Sequence, residues 1–194
     1  MLEMSIYHKA SAESVDSIFT DGLRCSRRGP GHDEPRVRRT NDVLDDLRPD
    51  HLRLQGLDRN ACTYCYLVVD GLVFDVESGR LVPERDWLTR VGGASGAVAL
   101  RLAVDPAVGY VSDLEVYDEL AARIDDASDR TVHKLAQRYW ERVVALPDLC
   151  RHYRRSHHAL VRRAEAPAGL PSRLERVEVL LTADVPPDRI APAS

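Results

Sequence analysis

Hydrophobic residues recur along the chain with the periods of both helices and strands. The clearest helical segment is 11–23, "SAESVDSIFTDGL", in which Val15, Ile18 and Phe19 share one face. Ser11 is a typical N-cap residue, and Gly22 stands where many helices end in a left-handed residue. The same spacing, together with capping residues, predicts further helices over 40–47, 113–124, 129–146 and 148–164.

Strands are predicted where short apolar runs are bounded by turn residues. The segments 62–69 and 72–76 flank Asp70-Gly71, a dipeptide that favours a tight β-hairpin. Other strands are predicted over 5–8, 97–104 and 176–182. The order of strand, helix, strands, helices and strand predicts a single α+β domain over residues 1–194.

The polar segment 24–60 separates the first helix from the hairpin. It is rich in glycine and proline at its start, so we expect a long loop. The short helix at 40–47 lies inside this loop, is capped by Thr40 or Asn41, and stops at Pro49. A loop of this length in a compact domain is usually functional or mobile.

The last strand carries one acid, Glu178, within the apolar run "VEVLL". Alternation places Val177, Val179 and Leu181 on one face and Glu178 on the other. On period alone, the strand is half-solvated and Glu178 lies in water. The alternative is a catalytic carboxylate, which needs support from elsewhere in the chain.

Bulk composition narrows the class of protein. A hydrophobic fraction of 44% and a charged fraction of 30% over 194 residues are typical of a globular protein. No apolar run approaches the roughly 20 residues that a membrane-spanning helix needs. The start "MLEMSIYHKA" has no signal-peptide pattern, so we expect a cytoplasmic protein with four reduced cysteines.

The net charge of −4 excludes a nucleic-acid-binding protein that is basic over its whole surface. The charges are, however, unevenly distributed along the chain. Only Lys9 and Lys134 are lysine among 27 basic residues, an excess of arginine that a GC-rich genome also produces. Two clusters are more informative, at 24–39 and at 151–163. The second, "RHYRRSHHALVRR", contains no acid, and it predicts either a solvated helix face or a contact with an anionic partner such as nucleic acid.

Two short motifs suggest a metal site and a nucleotide-binding loop, but their sequence context favours neither. Cys62 and Cys65 form C-x-x-C, but residues three apart on a strand face opposite sides, so we predict buried thiols and no metal site. The stretch "GGASG" (92–96) matches no nucleotide-binding motif, and we predict a flexible turn there.

Both ends of the chain resemble one superfamily. The opening "IYHKASAESVDSIFTDGL" (6–23) is similar to the first strand and helix of ADP-ribosyltransferase-fold proteins, in which a Y-H motif precedes a helix ending in I…GL. The closing "RVEVLLTADVPPDRI" (176–190) resembles the catalytic strand of DarT-like DNA-targeting ADP-ribosyltransferase toxins. The resemblance implies a split β-sheet core with flanking helices.

The resemblance also implies roles for particular residues. Glu178 is expected to be catalytic. The segment "RVRR" (36–39) is similar to a functional basic segment of the toxins, which assigns Arg39, or alternatively Arg38, to phosphate binding or catalytic support. The polar segment 24–60 would cover NAD. The residues expected to bind NAD are His8, Lys9, Ser11, Arg38 and one of Tyr64 or Tyr66.

The implied function is NAD-dependent mono-ADP-ribosyl transfer, with nucleic acid as the expected acceptor and NAD as a substrate. A toxin or defence role would add a cognate antitoxin or ADP-ribose hydrolase as a partner. Two alternatives stay open: an NAD-using RNA 2′-phosphotransferase of the same fold, and a non-catalytic nucleic-acid-binding module whose function lies in the basic segment 151–163.

Overall fold

A computed structural model describes residues 4–25, 34–94, 96–155 and 176–193. Within these ranges the strands are β1 (Met4–Ser11), β2 (Thr63–Val69), β3 (Leu72–Asp75), β4 (Arg80–Pro83), β5 (Ala97–Leu102), β6 (Gly109–Asp113), β7 (Val144–Ala145), β8 (Val177–Leu181) and β9 (Ile190–Pro192). The α-helices of the same ranges are α1 (Ala12–Asp21), α2 (Pro35–Asp46), α3 (Asp50–Leu54), α4 (Glu84–Ala94), α5 (Leu114–Arg123), α6 (Asp129–Glu141) and α7 (Leu146–Arg155).

The strands form one antiparallel sheet, so the predicted α+β class is confirmed. Its main path runs β7-β6-β8-β2-β1-β5-β9, and the β3–β4 pair extends from β2. Strand β2 changes partner along its length. Its first part, Thr63–Cys65, pairs with β8, and its second part, Tyr66–Val69, pairs with β1. Consequently β1 loses β2 as a partner beyond Tyr7, and the sheet opens there.

Local signals place the first helix and the hairpin correctly. Helix α1 follows Ser11 and ends at Gly22, whose φ of +82° is positive as its position predicts. Asp70 and Gly71 both have positive φ and join β2 to β3, which is the geometry that a two-residue hairpin turn requires. Helix α5 follows Asp113, the first residue of the predicted helix 113–124, and the Asp113 side chain caps it by accepting a hydrogen bond from the Glu115 amide.

The prediction of a long loop over 24–60 is wrong for the described part, which is largely helical. Helix α2 begins at Pro35, five residues before the expected Thr40 or Asn41 cap, and both of those residues are buried inside it. Proline suits the first turn of a helix, since its missing N–H has no partner there in any case. The polar composition concealed this helix because two of its buried residues are themselves polar.

Two other boundaries differ from expectation. Helix α6 ends at Glu141, five residues before the predicted end at 146, and Val144 joins the sheet as part of β7. Pro147 lies in the first turn of α7. The glycines at 92 and 93 belong to the last turn of α4, so no turn begins at Gly92. The short strands β4, β6, β7 and β9 were not predicted.

Strand β8 is buried at all five positions, so the expectation of a half-solvated strand is wrong. It lies between β2 and β6, with apolar side chains packed on both faces of the sheet. Val177, Val179 and Leu181 belong to one hydrophobic cluster, and Leu180 belongs to another on the opposite face. Glu178, at 7% exposure, therefore carries its carboxyl group into the protein.

Among the described residues, every helix is too short or too polar to cross a lipid bilayer. The predicted helix over 148–164 exists up to Arg155 as α7. Most of the basic segment 151–163 lies outside the described residues.

Candidate active site

A cleft of about 580 Å³ opens where β1 and β2 separate. Its walls come from the end of β1, the inward side of α1, the start of β2 and one residue of β8. His8 and Glu178 both line this cleft, although 170 positions separate them in the sequence. The change of partner along β2 brings them together, since β8 occupies one edge of β2 while β1 leaves the other.

Glu178 has few but specific polar partners. Its Oε2 atom accepts hydrogen bonds from Ser112 Oγ at 3.1 Å and from Arg59 Nη1 at 3.2 Å. Burial raises the pKa of the Glu178 carboxyl, while Arg59 and then Ser112 act in the opposite direction. No hydrogen bond from the described residues reaches Oε1, so this oxygen keeps its capacity to accept one from a ligand in the cleft.

Arg59 is the fully buried cation of the site, with 2% exposure. Its Nε donates to Asn41 Oδ1 at 3.1 Å, and its Nη1 donates to the Tyr139 hydroxyl as well as to Glu178. Its guanidinium carbon lies 4.3 Å from the ring centre of Tyr117, with the rings of Tyr64 and Tyr139 slightly farther away. Burial by itself would lower the pKa of Arg59, but the surrounding side chains of Tyr139, Tyr64 and Glu178 together outweigh it, so the pKa is raised and the group is charged.

A 3-10 turn at Arg59–Ala61 holds Arg59 in place. Asp58 caps this turn by accepting from the Asn60 amide, and Asp45 of α2 accepts from the amides of both Arg59 and Asn60. Burial raises the pKa of Asp45 to about 6. Asp58 and Asp45 together thus satisfy the backbone N–H groups of the turn, and the Arg59 side chain points inward.

His8 is a half-buried residue at the mouth of the strand opening. Its Nδ1 lies 3.1 Å from the Tyr64 carbonyl oxygen. Because a carbonyl only accepts, Nδ1 carries the proton, and Nε2 of the neutral ring is an acceptor. Burial lowers the pKa of His8, which favours this neutral form. The ring is therefore able to receive a hydrogen bond from a hydroxyl group in the cleft.

The other residues predicted on β1 lie at the cleft wall with partners of their own. Lys9 Nζ donates to Glu77 at 2.8 Å, and Ser11 Oγ lies 2.6 Å from Ser14 Oγ. Arg24, the first residue of the basic cluster 24–39, also lines the cleft and forms an ion pair with Asp184 at 2.9 Å. These exposed ion pairs are weak, so both cations remain available to an anionic ligand.

Both candidate tyrosines line the cleft but differ in their second contact. The Tyr64 hydroxyl donates to the Arg59 carbonyl oxygen at 2.6 Å, so this ring belongs to the wall around the buried arginine. Tyr66 packs on Trp87, with ring centres 4.8 Å apart. The Tyr66 ring is therefore the one of the two that has no contact with the buried arginine among those described.

Arg38 and Arg39 lie elsewhere. Both are exposed on α2, and Arg39 Nη1 donates to Asp125 at 2.7 Å. Neither belongs to the described residues that line the cleft. The arginine beside Glu178 is Arg59, which was not among the predicted site residues. One feature of the sequence indicated a buried polar group near this site. Tyr139 lies on the apolar stripe of a helix, and a buried tyrosine needs a hydrogen-bond partner for its hydroxyl.

The described cysteines are free, buried thiols. Cys62 and Cys65 belong to different hydrophobic clusters, as the strand geometry predicts. Burial raises the pKa of Cys62 to about 12, and it raises the pKa of Cys65 as well. Within the described ranges, no group of His, Cys, Asp and Glu side chains has an arrangement suited to a metal ion.

Comparison of the chain with protein-family profiles, with curated proteins and with solved structures gives no match.

Proposed function

We propose that the protein is an NAD-dependent mono-ADP-ribosyltransferase with an ADP-ribosyltransferase-like split-sheet core. The observation that carries this proposal is the position of Glu178. A desolvated carboxyl group, whose Oε1 receives no hydrogen bond from the described part of the chain, lines the same cleft as the neutral imidazole of His8. This pairing is the one that the resemblance at the two chain ends implies.

The chemistry follows from these two groups. Cleavage of the bond between nicotinamide and ribose C1′ leaves positive charge on the ribose, and a nearby carboxylate stabilises it. The electron pair of the broken bond goes to the nicotinamide ring, which leaves as a neutral molecule. The acceptor then forms the new bond to C1′, and Glu178 takes the proton that the acceptor loses.

The cleft is suited to a dinucleotide. Its volume lies in the range of small-molecule sites, roughly 300–1,000 Å³. His8 Nε2 accepts from a ribose hydroxyl, and Lys9 and Arg24 supply positive charge at the rim for phosphates. The Tyr66 ring, with Tyr64 as the alternative, offers a surface for the nicotinamide.

Nucleic acid is the proposed acceptor, on the basis of the acid-free segment 151–163. The described beginning of this segment belongs to α7, where Arg151 forms an ion pair with Asp148. A cytoplasmic toxin or defence role, restrained by an antitoxin or reversed by an ADP-ribose hydrolase, is part of the same proposal.

The test uses the whole chain and NAD labelled in its adenylate phosphate. The label is offered with single-stranded DNA, with RNA or with protein, and nicotinamide release is measured in parallel. We expect transfer to nucleic acid by the natural protein and a loss of roughly 100- to 1,000-fold in kcat for E178Q. The matched control is E141Q, because Glu141 is exposed on α6 and lies outside the cleft.

Retention of transfer by E178Q would contradict the proposed role of the carboxylate. Binding of oligonucleotide without any release of nicotinamide, by a folded natural protein, would favour the non-catalytic binding module instead.

A further inference from the structure

The Arg59 guanidinium is a meeting point for distant parts of the fold. Its polar and ring contacts come from α2, β2, α5, α6 and β8, through Asn41, Tyr64, Tyr117, Tyr139 and Glu178. Only the last of these carries the charge that the guanidinium needs. Arg59 is thus fixed on several sides by neutral groups before it contacts the carboxylate.

Stability alone does not account for this arrangement. Burial of a charged pair costs desolvation free energy, and apolar side chains of similar volume are often as stable or more so. What the pair supplies is a defined position for the Glu178 carboxylate. Arg59 and Ser112 both donate to Oε2, so rotation of the carboxyl group would break both hydrogen bonds.

Arg59 acts from behind the carboxylate. It is fully buried and does not belong to the described residues that line the cleft, whereas Glu178 does. A ligand in the cleft therefore meets Glu178 Oε1 and does not contact Arg59. This separates the arginine from the groups that bind substrate.

We infer that Arg59 is a positioning residue, which holds the Glu178 carboxylate by Oε2 so that Oε1 is presented to the cleft. This inference rests on the proposed function for its catalytic consequence. The guanidinium also favours the ionised form of Glu178, which the surrounding burial disfavours. The other titratable groups that act on Glu178 or respond to it are Tyr64, Cys65, Tyr66, Tyr117, Asp118 and Tyr139.

The kinetic test compares R59M and R59K with R53M. Arg53 is an exposed arginine of α3 and serves as the matched control. For R59M we expect kcat to fall on the order of 10- to 100-fold, as when supporting partners of an active group are removed. The KM for NAD should stay within about twofold, because Arg59 does not contact the ligand. The acid limb of the kcat profile should move to higher pH.

R59K retains the charge but lacks the planar fork. We expect it to keep the acid limb near its natural position while kcat remains about tenfold low. Should R59M fail to fold, R59K decides the question. A reduced kcat with unchanged KM supports the inference, and a kcat equal to that of the natural protein overturns it.

A second measurement does not depend on turnover. The Glu178 side-chain carboxyl carbon is titrated by ¹³C NMR and assigned by its absence in E178Q. We expect its midpoint to move up by at least about one pH unit in R59M. An unchanged midpoint overturns the inference even if NAD is cleaved. If the natural protein does not cleave NAD, the proposed function fails, while this titration still decides whether Arg59 controls Glu178.

Discussion

Arg59 Nη1 lies 3.2 Å from Glu178 Oε2, and both side chains are withdrawn from water, with exposures of 2% and 10%. The chain also contains a shorter ion pair, Arg39–Asp125 at 2.7 Å, with side-chain exposures of 60% and 47%. The two pairs share the same chemistry and differ in burial. They therefore allow the contribution of a buried ion pair to the free energy of unfolding to be compared with that of a surface ion pair.

Removal of one partner of the buried pair should be more destabilising than removal of both. R59M leaves an unpaired buried carboxylate, which costs about 3–5 kcal/mol of the free energy of unfolding. The double variant R59M/E178L removes both charges of this pair, and we expect it to be more stable than R59M. R39M should cost no more than about 1 kcal/mol, because its pair is exposed. Urea denaturation of these variants measures the differences, and equal losses for R59M and R39M would contradict the prediction.

Asp45 should make stability depend on pH in the acid range. Burial raises the pKa of its carboxyl from 3.8 to about 6 in the folded state. The folded protein therefore binds a proton that the unfolded chain has lost, so the contribution of Asp45 is fully present below about pH 4 and disappears as the pH rises to about 6. The difference in unfolding free energy between the natural protein and D45N should fall across this interval. Parallel stability curves would show that Asp45 does not titrate there.

The elements that the sequence predicted correctly are those in which local signals and tertiary structure agree. Helix α1 combines an N-cap position, apolar spacing and a terminal glycine, and the Asp70-Gly71 turn needs no distant contact to favour its geometry. Helix α2 is different. Its inward face includes Thr40 and Asn41, both buried: Asn41 accepts a hydrogen bond from Arg59 Nε, and Thr40 donates to the Arg36 carbonyl oxygen within the helix. A pattern of hydrophobic residues does not contain that information.

The residues of the candidate site also fall into those that the sequence predicted and those that depend on tertiary structure. His8 and Glu178 belong to end motifs that the sequence displays, and both line the cleft. Arg59 belongs to no motif, and its burial depends on Tyr117 and Tyr139, which are far away in the chain. Alternation correctly indicated that Glu178 leaves the face of its apolar neighbours. It did not indicate that the second face is also covered, because this depends on the helices packed there.

His8 should affect binding of NAD more than the chemical step. Its Nδ1–H donates to the Tyr64 carbonyl oxygen, so only Nε2, a hydrogen-bond acceptor, is available to a ligand in the cleft. For H8A we expect the KM for NAD to rise about tenfold, the loss of one hydrogen bond, with a smaller change in kcat. Protonation at low pH would convert Nε2 to a donor and weaken binding as well. Steady-state kinetics at several pH values, compared with H133A on the exposed part of α6, test both statements. A large fall in kcat with unchanged KM would contradict the binding role.

The cysteines of the strand region should be chemically inert in the folded protein. Cys25, Cys62 and Cys65 are buried, and burial raises the pKa of each thiol, so little thiolate is present at neutral pH. In a C150S background, reaction with a thiol reagent should be slow before unfolding and should reach three thiols per chain after it. Zinc should not alter the rate. Rapid labelling of the folded protein, or protection by zinc, would contradict this account of C-x-x-C.

Gly22 should be much less tolerant of substitution than Gly71, although both have positive φ. At Gly71, with φ of +72°, an added Cβ meets no atom within 4 Å, so G71A should cost only the left-handed strain of about 1–2 kcal/mol. At Gly22 the backbone combines φ of +82° with an extended ψ of 176°, a region that only glycine adopts readily. A Cβ there would lie 2.5 Å from the Val185 carbonyl oxygen, which bonds the Leu23 amide at 2.8 Å. Relief of this clash requires separation of the α1 terminus from the segment after β8, beside the cleft that Gly22 lines.

We therefore expect G22A to lower the free energy of unfolding by at least about twice as much as G71A, and to raise the KM for NAD, which G71A should leave unchanged. Equal losses of stability in the two variants would mean that the contact with Val185 does not constrain this end of the cleft.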